Sequence, residues 1–497
     1  MPLRMTRRAA LVAGLRGLGA GLAATRLASR AEAAPGRRAN VLFIAVDDLR
    51  PQLACYGHKQ MVSPRIDALA AGGVLFERAY CQIAICAPSR ASVLSGVRPD
   101  TMGFYFLNTP LRKAMPRVVS LPQHFRANGY TTLSLGKIYH HSNDDAQGWS
   151  ETPWHPANAW PGSIDPKVRE AMRRYWRAKP RPRQRPLGPS VEAADVADDA
   201  YADGRLTAKA IGKLRQVADK PFFLAVGYVK PHLAFACPKK YWDLYKRDDL
   251  DLADNPFRPK GCPDVALHNW GELRTYSDIP KSGPLTDAKA RELIHGYYAC
   301  TSFIDAQVGR LLDELDRLEL ADNTVVVLWG DHGWNLGEHG LWCKHCNFET
   351  SVHVPLIIRA PGAKGAGKTT PALAEFVDVY PTLCELCGLG LPEPLEGVSL
   401  APLLANPSRP WKTAAFSQYQ RGSHMGYSMR TARYRFTRWQ GIKNPKDIAG
   451  LELYDHQTDP GENVNLAAQP QHKALVERLG RMLDAGWRAA KPPQERS

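Results

Sequence analysis

The sequence predicts an α/β fold in which a large, mostly parallel sheet lies between layers of helices. Two observations carry this. Four short, continuously apolar runs suit strands buried on both faces, and helix-period segments separate them. The first run, residues 40–46, stops at Asp47 and Asp48. The second, 131–135, stops at Gly136 and Lys137, with His140 just beyond. The third, 221–228, leads into Lys230, Pro231 and His232. The fourth, 324–329, stops at Gly330, Asp331 and His332. Residues 301–320 read as an intervening helix, with Phe303, Ile304, Val308, Leu311, Leu312 and Leu315 as its apolar positions. Ligands of open α/β sheets bind at the carboxyl ends of the strands. Four such polar ends are therefore expected to converge on one site.

The chain has 497 residues, 44% hydrophobic and 23% charged. That suffices for one large α/β domain and a smaller one. It excludes a disordered chain, a collagen-like repeat and a small disulfide scaffold. No stretch approaches the roughly 20 apolar residues of a membrane span. The net charge of +16 is concentrated: residues 1–38 carry +7 and residues 167–185 carry +8. A uniformly basic nucleic-acid binder is thereby excluded. Arg7 and Arg8 open a Gly/Ala/Leu-rich stretch that ends in small residues at 31–34. This describes an export signal of the twin-arginine kind, so residues 1–34 are set apart from the fold. A periplasmic or secreted location is expected. Of ten cysteines, the pairs Cys343/Cys346 and Cys384/Cys387 imitate a four-thiolate zinc site. Cys384 and Cys387, however, fall in an apolar, helix-like run at 377–389, where small buried cysteines are common.

The chemistry of the strand ends is coherent. Asp47, Asp48 and Asp331 offer hard carboxylate oxygens of the kind Ca²⁺ or Mg²⁺ prefers. Lys137, Lys344, His140 and His232 offer groups suited to an oxyanion and to proton transfer. Asp47 and Asp48 alone read equally well as a solvated loop or helix cap, a lone Lys137 or Lys344 reads more readily as a surface charge, and a lone His140 or His232 as a hydrogen-bonded loop histidine. The deciding segment is Cys86-Ala87-Pro88-Ser89-Arg90. A helix is expected to start near Pro88 and close around Gly96. Cys86 then stands at a helix N-terminus, where backbone N–H groups favour an anion. Read plainly, it is a thiolate nucleophile or a buried cysteine.

The Cys-x-Pro-Ser-Arg pattern resembles the signature of the type I sulfatases, in which the cysteine is oxidised to formylglycine before folding. The resemblance covers roughly residues 39–490 and is strongest to the iduronate-2-sulfatase branch. Residues 222–233, 330–340 and 426–431 carry it. It implies an alkaline-phosphatase-like core over residues 35–405 and a smaller C-terminal α+β subdomain with an antiparallel sheet over 406–497. The strand-like pieces 414–419 and 434–439 fit that subdomain. It further implies that Asp47, Asp48, Asp331 and His332 bind one Ca²⁺ beside residue 86. Arg90 would hold the formylglycine hydrate, and Lys137 and Lys344 would clamp the sulfate. His140 would assist breakdown of the covalent intermediate, and His232 would protonate the leaving alcohol. The implied partners are a sulfated saccharide, expected to be a 2-O-sulfated uronide, and a formylglycine-generating enzyme during maturation.

Some residues depart from that pattern. Val229 stands where a His is expected, the surroundings of Asn108 and Thr109 differ, and the Arg/Pro-rich insert has no counterpart. Three other readings compete. Residues 362–369 satisfy a phosphate-binding Gly-rich pattern ending in Lys368-Thr369, but Pro371 would break the helix that must follow. A phosphodiesterase or phosphonate monoester hydrolase of the same superfamily would share the Asp and His ligands. A non-catalytic polyanion-binding protein would use the basic run 167–185, which includes Tyr175 and Trp176 but equally suits a solvated face.

Overall fold

A computed structural model describes residues 38–107, 109–140, 144–160, 162–180 and 187–493. The export signal, Asn108 and the insert residues Arg181, Arg183 and Arg185 lie outside the described residues. The main sheet contains β1 (Asn40–Val46), β2 (Val74–Tyr80), β3 (Thr131–Gly136), β4 (Phe222–Tyr228), β5 (Thr324–Gly330), β6 (His353–Val354), β7 (Leu356–Arg359) and β8 (Lys368–Glu375). Its order is β6-β2-β7-β5-β1-β4-β3, with β8 beside β2. The four strands read from the sequence are neighbours, β5-β1-β4-β3, and mutually parallel. The short strands β6 and β7 run antiparallel to β2, so the sheet is mixed at one side.

Helices that cover the sheet include α1 (Pro64–Gly72), α2 (Cys86–Ser95), α3 (Leu121–Ala127), α4 (Ala202–Val217), α5 (Asp287–Arg317) and α6 (Val379–Leu386). Side chains alternate across β1, as strand geometry requires. Leu42, Ile44 and Val46 join a core with Ile66 of α1, Leu206 of α4 and Ile304 of α5. Val41, Phe43 and Ala45 join another with Val93 of α2, Phe125 of α3 and Leu383 of α6. The sheet is thus covered on both faces, which explains why its strands are apolar throughout.

One expectation is corrected, and the competing phosphate-loop and zinc readings are excluded. The helix expected over 301–320 spans Asp287–Arg317. Its earlier start follows from a cap, the Thr286 side chain accepting from the Lys289 N–H at 3.3 Å. Lys368 opens strand β8 rather than a helix, so the Gly-rich segment before it is a turn. All ten cysteines are free. Cys343 and Cys346 belong to one hydrophobic core and Cys384 and Cys387 to the other, which rules out a shared zinc ion.

A separate four-stranded antiparallel meander follows, with β9 (Ala414–Arg421), β10 (His424–Thr431), β11 (Tyr434–Gly441) and β12 (Ile448–Asp455). Met429, Phe436 and Leu453 pack against Leu479 and Leu483 of α7 (Lys473–Ala489). A buried ionic network ties this sheet to the main one. Both terminal nitrogens of Arg98 lie 2.8 Å from the Glu375 carboxylate, which also accepts from Lys412 Nζ at 2.8 Å and from the Phe416 N–H at 2.9 Å. Burial opposes ionisation of Glu375, but Arg98 and Lys412 hold its carboxyl down at about 2, below the usual 4.5. Its contribution is therefore complete above about pH 4.5 and lost as the pH falls towards 2. Glu375→Gln is expected to destabilise the fold by about 3–5 kcal/mol, because it leaves buried cations uncompensated. Denaturant unfolding at pH 7 measures this; a loss under 1 kcal/mol, about that of an exposed pair, would contradict it.

Candidate active site

The four parallel strands deliver their polar ends side by side. Asp47 and Asp48 follow β1, Lys137 follows β3, His232 lies beyond β4, and Asp331 and His332 follow β5. Two glycines let the ends of β3 and β4 touch. Gly136 has φ 74°, and a Cβ on Gly227 would lie 2.1 Å from the Lys137 carbonyl oxygen. Cys86 is the first residue of α2, which closes at Gly96 in the left-handed conformation. Proline at the third position of this helix fits its fixed φ.

Arg90, one turn along α2, is fully buried. Its Nε donates to Asp331 Oδ2 at 2.8 Å and a terminal nitrogen reaches Asp47 Oδ1 at 3.3 Å. Its other terminal nitrogen donates to the carbonyls of Lys137 and Ile138. Lys137 Nζ pairs with Asp47. Lys344 Nζ lies 3.2 Å from Asp48 Oδ1 and 2.8 Å from Glu272 Oε2. His332 Nε2 is 3.2 Å from Cys86 Sγ and 3.4 Å from Asp48 Oδ1. His232 Nε2 is 3.0 Å from Glu272 Oε1 and 3.8 Å from Asp48 Oδ2. His140 is buried three residues beyond Lys137. The contacts above thus bring nine of the ten site residues read from the sequence together; for His140 they establish only its burial on the Lys137 segment.

Glu272 is a residue of this cluster that sequence reasoning missed. It lies in a segment without apolar periodicity, at the lead of the short turn Leu273–Thr275, and nothing local marks it. Tyr297 was missed too: its hydroxyl donates to the Asp48 carbonyl at 2.8 Å and accepts from the Arg50 N–H at 3.0 Å. Three non-glycine residues at the site have left-handed backbone: Asp48 (φ 58°), Cys343 (φ 71°) and His345 (φ 79°). Each costs roughly 1–3 kcal/mol, and surrounding contacts hold such residues in place. The Tyr297 bond does so for Asp48, and Asn335 Nδ2 donating to the Cys343 carbonyl at 2.7 Å does so for Cys343.

The charges are strongly coupled. Burial opposes ionisation of Asp47, yet Lys137, His232 and Arg90 hold its carboxyl well below the usual range. Burial pushes Asp48 up despite Lys344. Burial likewise opposes the charged forms of Glu272 and Lys344, but each holds the other ionised, with His232 assisting Glu272 and Asp48 assisting Lys344. Burial would lower His232, but Asp48 and Glu272 raise it above its ordinary value. Burial, with Asp47 alongside, pushes the Cys86 thiol well up. The unmodified side chain is therefore no ready thiolate, contrary to the plain nucleophile reading.

Metal-ligating atoms converge here. One atom each from Asp47, Cys86, Asp331 and His332 lies within 4.8 Å of the others, and the same holds for Asp47, Asp48, Cys86 and His232. Three carboxylates make a hard-oxygen donor set, which fits Ca²⁺ or Mg²⁺ better than zinc. A further group, Glu349, His456 and Glu462, is already bridged by the Arg435 guanidinium.

The model of the Sulfatase family matches residues 39–389. The chain belongs to the sulfatase family. It is a sulfuric ester hydrolase with an alkaline-phosphatase-like fold. A second family model, N-sulphoglucosamine sulphohydrolase, C-terminal, matches residues 337–488 of this sulfatase. Iduronate 2-sulfatase of Mus musculus is 35% identical over 521 residues, covering 88% of this chain and 93% of that protein. Among solved structures, a protein in complex with its substrate D-glucosamine-2-N,6-O-disulfate superimposes with a TM-score of 0.72 at 23% identity, covering 90% of this chain and 97% of that one. The phosphonate monoester hydrolase of Agrobacterium radiobacter gives 0.71 at 23% identity, covering 90% and 95%. These structural likenesses establish the shared fold.

Proposed function

We propose that this sulfatase removes the 2-O-sulfate from a uronic acid of a sulfated glycan, using a formylglycine made from Cys86 and one Ca²⁺. The observation that carries the chemistry is Cys86 on the first turn of α2, ringed by Asp47, Asp331, His332, Arg90 and two lysines. The substrate reading leans on the 35% identity to a protein named iduronate 2-sulfatase. A hydrated formylglycine supplies a hydroxyl to attack sulfur, with a second whose deprotonation releases sulfate.

The chain's own residues do the rest. Asp47, Asp48, Asp331 and His332 hold the cation, and Arg90 fixes two of those carboxylates while its charge faces residue 86. Lys137 and Lys344 neutralise the sulfuryl oxygens, where charge develops during in-line transfer. His232, oriented by its Nδ1 bond to the Leu233 carbonyl at 2.7 Å and by Glu272, gives its Nε2 proton to the leaving alcohol. His140 assists release of sulfate. Glu272 keeps His232 and Lys344 charged and in place.

Cys86 is only 2% exposed, so a formylglycine-generating enzyme has to act before the chain folds. We divide the chain into an export signal at 1–34, a catalytic domain at 35–405 and a C-terminal subdomain at 406–497, and place the protein outside the cytoplasm. No helix among the described residues is long and apolar enough to cross a membrane.

The test is a panel of three substrates: a 2-O-sulfated uronide disaccharide, an aryl sulfate and a phosphonate monoester. The disaccharide is expected to have the highest kcat/KM, about 100-fold or more above the phosphonate, since a site built for one anion's bonding partners discriminates strongly. Aryl sulfate turnover with none on the disaccharide would remove the uronate reading. Preferred turnover of the phosphonate would remove the sulfate reading.

A further inference from the structure

We infer that the basic helix Pro166–Arg177 and the segment before it form a second saccharide subsite, which holds sulfated sugar units of the same glycan chain beyond the one being hydrolysed. A cavity of about 370 Å³ opens between Asn158, Ala159, Trp160, Gly162 and Ser163 on one side and the helix Pro166–Arg177 on the other. Its walls carry two indoles, Trp160 and Trp176, with ring centres 6.4 Å apart and planes at 68°. They also carry Arg169, Arg173 and Arg177, together with the buried Met172. Positions 169, 173 and 177 are four apart, which places all three on one face of the helix. The helix has five basic residues and one acidic residue, Glu170.

The cavity is held in shape. Asp165 caps the helix by accepting from the Lys167 N–H at 2.8 Å, and Arg169 Nε donates to the Ser163 carbonyl at 2.8 Å. The Ile164 N–H donates to Glu192 Oε1 at 2.9 Å, an oxygen that also accepts from the Tyr201 hydroxyl. Glu170 engages Arg173 and Arg174 at 2.8 and 3.0 Å, whereas Arg177 has no ion-pair partner among the described residues. Trp176 is 44% exposed. The exposed indole of Trp176, the half-buried indole of Trp160 and the forked guanidinium groups suit a ligand with apolar ring faces and sulfate or carboxylate groups, which is a sulfated sugar.

The cavity also adjoins the catalytic site. A Cβ on Gly162 would lie 3.0 Å from Lys230 Nζ, and that ammonium donates to the carbonyls of His232 and Ala234 at 2.7 and 2.5 Å. One lysine therefore separates the cavity wall from the His232 turn. The inference rests on the sulfated-glycan reading of the catalytic site.

The test compares binding of a size-fractionated heparin octasaccharide and a heparin disaccharide to the full chain at two salt concentrations. Aryl sulfate turnover is measured in parallel. The unaltered protein is expected to bind the octasaccharide more tightly. Arg173→Glu/Arg177→Glu and Trp176→Ala should each weaken octasaccharide binding by about 10-fold or more, as expected for lost charge-assisted and stacking contacts. The charge reversal should also flatten its salt dependence. Disaccharide binding and aryl sulfate turnover should not change, and Arg173→Lys/Arg177→Lys should retain most of the octasaccharide affinity. Octasaccharide binding unaffected by both the charge reversal and Trp176→Ala would overturn the subsite, as would equal affinity for the two lengths. Octasaccharide binding that needs Arg173 and Arg177, in a protein that turns over no sulfate ester, would support the subsite and remove the sulfatase mechanism alone.

Discussion

Cys86→Ala is expected to lower kcat for every sulfate ester by on the order of 10⁵–10⁶, the loss that follows removal of a covalent nucleophile. The fold should survive. The side chain is small, and α2 retains its proline, its Gly96 terminus and the Arg90 anchors to Asp47 and Asp331. The thermal midpoint should therefore stay near that of the unaltered protein. Cys86→Ser is the sharper variant, because it keeps one hydroxyl but cannot provide two on one carbon. It is expected to fail as a turnover enzyme as well. Steady-state assays alongside thermal unfolding separate loss of chemistry from loss of structure. Substantial turnover by either variant would remove Cys86 from the mechanism.

Calcium removal is the second large effect. Asp47, Asp48 and Asp331 are fully buried, with Glu272 a fourth carboxylate nearby. Arg90, Lys137 and Lys344 face them, with the imidazoles of His232 and His332 beside Asp48. A divalent ion would lower the energy of this crowded set and add positive charge where the sulfuryl oxygens sit. Metal analysis should find about one Ca²⁺ per chain. A calcium chelator is expected to lower the rate by roughly three orders of magnitude, in line with several kcal/mol of charge stabilisation, and added Ca²⁺ should restore it. Stability gives an independent readout: Ca²⁺ at 100 times its Kd should add about 2.7 kcal/mol and raise the thermal midpoint. Full activity after stripping, or a midpoint indifferent to Ca²⁺, would contradict the assignment.

The parallel half of the main sheet was legible because its strands are buried on both faces. Residues 40–46 and 324–330 must be apolar throughout, and the residue that ends each run is the one that reaches the site. The helix at Cys86 was legible from Pro88 and Gly96. The long helix α5 was only half legible. Its first half carries Gly296, where a Cβ would lie 2.8 Å from Phe235 Cβ, so the glycine is present for close packing. Only the antiparallel direction of β7 was hidden, because an apolar run does not reveal strand direction. Glu272 was hidden for a different reason. A carboxylate on an irregular segment owes its place to tertiary contacts with Lys344 and His232, and no spacing records those. The basic run 167–185 read most readily as a solvated face, because Trp160 and Trp176 meet only in the folded chain.

The account depends most on the chemical state of residue 86. Mass spectrometry of the peptide spanning it, taken from active protein produced with a formylglycine-generating enzyme, tests this directly. The prediction is an aldehyde or its hydrate at Cys86, in a fraction of the protein that tracks specific activity. A fully active preparation in which residue 86 is entirely an unmodified thiol would contradict the mechanism.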